Sequence, residues 1–84
     1  MEFMVSASFR PQDQAEILTH IPAEQARVQT LREQGSLQTL YISADRLQVW
    51  LVMRGESQEQ VQKALESLPL YPYMEVAITP LFRI

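Results

Sequence analysis

The stretch Leu68-Pro69-Leu70-Tyr71-Pro72-Tyr73-Met74, followed at once by Glu75-Val76-Ala77-Ile78-Thr79-Pro80-Leu81, decides how the rest of the chain is read. Pro69 and Pro72 each lack an amide donor, and each biases the residue before it toward extended backbone. A helix arriving from the N-terminal side therefore ends here. Val76, Ile78 and Leu81 are strand-type residues with Thr79-Pro80 near the terminus, so the segment closes a helix, crosses over and opens a last strand.

Upstream of the crossover, Ser57 and Gln60 form a capping-box pattern that opens a helix with Val61, Ala64, Leu65 and Leu68 on one stripe. Before that come two β-rich runs, 37–43 and 46–54, around Ala44-Asp45, which read as a hairpin even though the turn lacks the usual glycine. Its register stays open by one residue. In the second run Leu47, Val49, Leu51 and Met53 take one face, while Gln48, Trp50, Val52 and Arg54 take the other. Arg46 and Arg54 read as exposed hairpin and strand-end charges.

Residues 12–34 read as helix, with Ile17, Ile21, Val28 and Leu31 on one face and Gly35 as the C-terminal cap residue. Pro22 implies either a kink or a short first helix that restarts with Pro22 in its first turn. At the N-terminus Phe3, Val5, Ala7 and Phe9 alternate with Met4, Ser6 and Ser8, the period of a strand with one buried face.

Strand, helix, strand, strand, helix, strand is the ferredoxin-like βαββαβ order, an α+β fold with a four-stranded antiparallel sheet and two helices on one face. Residues 1–84 are expected to form a single domain. A chain of 84 residues without cysteine has little core to spare, and its strands are apolar on both faces. Two such sheets meeting face to face would bury Trp50 and its neighbours, so the partner expected is a second copy of the chain, in a homodimer or higher oligomer built as a dimeric α/β barrel.

The net charge of −3 and seven scattered basic residues argue against a phosphate-binding surface, and nucleic acid is not an expected partner. No apolar run approaches the roughly 20 residues of a bilayer span, so no membrane association is expected. The absence of cysteine permits a reducing, cytoplasmic setting. One histidine, His20, and dispersed acids offer no metal set, and Gly35 and Gly55 punctuate elements instead of forming a nucleotide loop. Neither a metal nor an organic cofactor is expected.

What remains is acid-base chemistry. Ile17, Ile21, Glu24, Val28 and Leu31 are spaced by four, three, four and three, which sets a carboxylate in the middle of an apolar stripe. His20 lies one turn before it. A partly desolvated carboxylate with a raised pKa suits proton transfer at carbon near neutral pH. If Pro22 instead opens a new helix, Glu24 is a third-position acid favoured by the helix dipole, its pKa is lowered, and His20 is a solvated linker residue. Tyr41, Trp50 and Tyr73 are candidates to line a ligand pocket, with core or interface packing as the alternative.

The Leu-Pro-Leu-aromatic-Pro-Tyr-Met-acidic run at 68–75, with an aliphatic strand ending Thr79-Pro80-Leu81, resembles the C-terminal signature of the muconolactone isomerase family. The resemblance continues more weakly through Glu33-Gln34-Gly35 and the hairpin. It implies a dimeric α/β barrel and cofactor-free proton transfer within a small lactone, with a glutamate aligned to Glu24. His20 would then assist, and Tyr41, Trp50 and Tyr73 would shape the substrate pocket. The family's second strand carries a tryptophan, an arginine and a histidine around the positions of Leu37, Gln38 and Thr39, and another histidine near Arg46. Those polar groups, suited to a carboxylated lactone, are absent here. The alternative function is a non-catalytic binding or assembly module that keeps the fold for its interface.

Overall fold

In the computed structural model, which describes residues 1–84, the crossover at 68–73 joins a helix to the last strand. The second helix, α2, runs Gln58–Glu66 and the last strand, β4, runs Met74–Leu81, with a single 3-10 turn, Tyr71–Tyr73, between them. The other elements are β1 (Glu2–Phe9), α1 (Gln14–Glu33), β2 (Leu37–Ile42) and β3 (Gln48–Arg54), and a 3-10 turn at Pro11–Asp13 leads into α1. The four strands form one sheet in the order β2-β3-β1-β4, antiparallel throughout. This is the ferredoxin-like arrangement expected from the sequence.

Alternation sets the layers. Phe3 and Val5 of β1 and Leu51 and Met53 of β3 point to one face, where they are buried with Leu31 of α1 and Val61 and Leu65 of α2. Both helices therefore cover the same side. The other face carries Tyr41 of β2 directly opposite Trp50 of β3, and these remain 64% and 37% exposed. Pro80 is tolerated within β4 because that strand is at the sheet edge, where a missing amide leaves no ladder bond broken on the outer side.

Three local findings sharpen the sequence reading. First, α1 is one 20-residue helix that passes through Pro22 without restarting, so the short first helix is excluded. Pro22 and Leu18, whose carbonyl loses its intrahelical donor, both lie on the exposed flank. Water can take the place of the lost bond. Second, β2 shifts register between Leu37 and Thr39, and the shift lets Leu37 and Leu40 share the helix-covered face. Third, the hairpin closes without glycine. The Arg46 amide donates to the Ser43 carbonyl (2.9 Å), the Ser43 amide donates to the Gln48 carbonyl (2.8 Å), and Arg46 adopts φ 63°.

The caps follow the expected chemistry. Gly35 at φ 81° ends α1, and the Ser36 amide behind it donates to the Leu31 carbonyl (3.0 Å). At α2 the Ser57 hydroxyl accepts from the Gln60 amide (3.2 Å), while the Gln60 side chain accepts from the Glu56 amide (2.7 Å).

Candidate functional site

A cavity of about 570 Å³ lies between α1 and the helix-covered side of β2 and β3. Its walls are mostly apolar: Ile17, Ile21 and Val28 from α1, Leu40 from β2, and Leu68 and Leu70 from the crossover. Glu24 is the one acidic residue in the lining. The four-three spacing along α1 is what puts it there, since an uninterrupted helix keeps Ile17, Ile21, Glu24 and Val28 on one side.

The Glu24 carboxylate is partly buried and accepts a hydrogen bond from the Leu70 backbone amide at 3.1 Å. Burial raises its pKa above the ordinary carboxylate value, and the Leu70 amide, which favours the charged form, offsets part of that rise. Because α1 does not restart at Pro22, Glu24 sits mid-helix, far from the N-terminal turn where a dipole would lower its pKa. The crossover that supplies the amide is held firmly. The Tyr71 hydroxyl accepts from the Gln62 side chain of α2 (2.7 Å), and Arg27 of α1 donates to the Ser67 hydroxyl (2.9 Å).

The other residues singled out from sequence fall in two further places. His20 and Tyr73 meet, with ring centroids 5.6 Å apart and the Tyr73 hydroxyl 3.4 Å from His20 Nε2, but neither lines the cavity. The Tyr73 hydroxyl also donates toward Glu16 (3.4 Å), and burial, together with that carboxylate, pushes the phenol pKa up. Tyr41 and Trp50 are on the open face of the sheet, away from the cavity. No three of the His, Asp and Glu side chains come together in a way that could hold a metal ion.

Arg46 is an exposed hairpin charge, as its place in the turn implies, and it also stands at the edge of the cavity, as does Arg32 near the C-terminal end of α1. The signal available for Arg46 was the missing turn glycine, which forces some other residue into the left-handed region. Leu70 offered no signal, because its contribution is a backbone amide.

A βαββαβ fold with an apolar cavity under its first helix and one partly buried acid in the wall defines a small α+β protein of the ferredoxin-like class. The chain belongs to the muconolactone delta-isomerase family, whose pattern it matches over residues 1–83. It is 33% identical over 58 residues to the muconolactone delta-isomerase of Cupriavidus pinatubonensis, a match spanning 69% of this chain and 63% of that protein. The crystal structure of a muconolactone isomerase superimposes with a TM-score of 0.81 at 26% identity, covering 100% of this chain and 91% of that one. A 5-chloro-2-hydroxyhydroquinone dehydrochlorinase from Burkholderia phenoliruptrix, complexed with 2,5-dihydroxybenzoquinone, superimposes with a TM-score of 0.83 at 17% identity. It covers 99% of this chain and 95% of its own, a likeness of fold alone.

Proposed function

We propose that this chain is a cofactor-independent isomerase that shifts a proton within a small, carboxylate-bearing unsaturated lactone, with Glu24 carrying the proton. The observation that supports this reading is a single partly buried acid in the wall of an apolar cavity, one oxygen tied to the Leu70 amide. The second oxygen is left for a ligand. Ionised Glu24 takes a proton from the carbon next to the conjugated double bond: the C–H bond breaks, an O–H bond forms, and the electron pair moves into the lactone. Glu24 then returns the proton two carbons along, the double bond ends in its new position, and the carboxylate is regenerated. No oxidant, reductant or net proton is consumed.

Desolvation serves this step because a carboxylate with a raised pKa is a stronger base than one in water. His20 and Tyr73, packed together beside the crossover, are assigned a supporting role outside the cavity. Membership of the muconolactone delta-isomerase family supports the choice of reaction.

The open face of the sheet supports self-association as a second part of the proposal. Tyr41 and Trp50 stand paired and exposed on it, and a second sheet laid against this face would cover both. If assembly were the whole function, the acid in the cavity would be dispensable. The deciding experiment follows the double-bond position of muconolactone by NMR with the parent and with Glu24→Gln. The parent is expected to isomerise it, and the variant to be slower by about a hundredfold or more. An inactive parent, or equal rates, would overturn the catalytic assignment.

A further inference from the structure

We infer that Arg46 is the specificity residue of this cavity, a guanidinium that selects ligands carrying a carboxylate over their neutral counterparts. The inference rests on the reading of the cavity as a lactone site, and it concerns which lactones enter.

The hairpin itself has no use for an arginine at this position. Arg46 has φ 63°, the left-handed region where glycine or asparagine is at ease and a branched-off side chain is not. The turn is held by other groups: the Asp45 carboxylate accepts from the Ser43 hydroxyl (2.6 Å) and from the Leu47 amide (3.0 Å), and the backbone closes between Ser43 and Gln48. A side chain kept in an unfavourable backbone conformation, without helping the turn, points to a use beyond folding.

That use is set by what the guanidinium faces. Arg46 lines the mostly apolar cavity, and the chain's ion pairs lie elsewhere, at Arg10–Asp13, Lys63–Glu59 and Arg83–Glu2. Glu24, the one acid in the wall, is engaged with the Leu70 amide. Arg46 is exposed at the rim of this cavity and presents there a positive charge with no ion-pair partner in the chain, a group able to make a charge-assisted bidentate contact with a carboxylate. The hairpin and the start of α1 lie at the same end of the sheet, since the Phe9 amide bonds the Leu47 carbonyl (2.8 Å), while Arg32 lies at the far end of α1. An anionic group held at the hairpin leaves the apolar remainder of the ligand directed along α1 toward Glu24. Arg32 sits on ordinary helical backbone and carries no such sign of strain.

The test measures binding of muconolactone and of its methyl ester by NMR titration to the parent, Arg46→Gly, Arg46→Lys and Arg32→Gln. The parent is expected to prefer the acid by about tenfold or more, as for a charge-assisted hydrogen bond. Arg46→Gly should bind acid and ester alike, Arg46→Lys should keep part of the preference, and Arg32→Gln should keep all of it. Arg46→Gly should melt at or above the parent temperature, because glycine suits the turn, so loss of selectivity is separated from loss of fold. A parent without preference, an Arg46→Gly protein that retains it, or an Arg32→Gln protein that loses it would overturn the inference. Because the readout is binding, it stands apart from the Glu24→Gln turnover experiment, whose failure would remove the isomerase reading and leave this selectivity in place.

Discussion

In the proposed reaction, the strength of Glu24 as a base depends on how far the fold withholds water from it. Its raised pKa has a direct consequence for stability. Between the unfolded and the folded pKa the folded chain holds a proton that the unfolded chain has released, so stability declines as pH climbs through that window and levels off above it. Glu24→Gln removes the buried charge while keeping an oxygen for the Leu70 amide, and it should be at least as stable as the parent at neutral pH. Thermal melts between about pH 4 and pH 8 would show this, with the variant flatter across the range. Asp45 has the opposite sign. The Ser43 hydroxyl and Leu47 amide lower its pKa, so its contribution is present above the unfolded value and is lost as pH falls through the folded one. Asp45→Ala should therefore lower the melting temperature at pH 7 and converge with the parent in acid. At this scale the sequence is legible where periodicity is long. The spacing around Glu24 puts it in the cavity wall, whereas Tyr41 and Trp50, for which pocket lining and core or interface packing are both open from the sequence, lie on the open face, because alternation identifies a face without saying what covers it.

The elements bear their own costs. Pro22 interrupts the hydrogen bonding of α1 on its exposed side, and α1 stays continuous because the buried stripe of Ile17 and Leu31 holds it against the sheet. Pro22→Ala restores the missing bond and should stabilise the protein by about 1 to 3 kcal/mol in a denaturant titration, the range left after the unfolded chain regains freedom. Leu65 of α2 is fully buried in the core cluster, and Leu65→Ala should cost about 2 to 5 kcal/mol in the same assay. The order of elements was readable from prolines, caps and alternation. The β2 register shift and the left-handed Arg46 were not, because both depend on which cross-strand partners win after the helices have claimed one face.

For the molecule as a whole, the two faces of one sheet divide the work. The helix-covered face holds the core and the cavity, and the open face holds Tyr41 and Trp50. The expected assembly is at least a dimer of the 9.7 kDa chain, and Trp50→Glu should reduce it to monomer or unfold it by light scattering with circular dichroism. A compact parent monomer at micromolar concentration would contradict that assembly. The proposed proton shift is tested most directly by the initial rate of muconolactone isomerisation as a function of pH. The rate should climb through one ionisation whose midpoint lies above that of an ordinary glutamate, as Glu24 loses its proton, and the climb should be absent in Glu24→Gln. A profile flat across the acid range, or one with its midpoint at or below the ordinary glutamate value, would contradict the account.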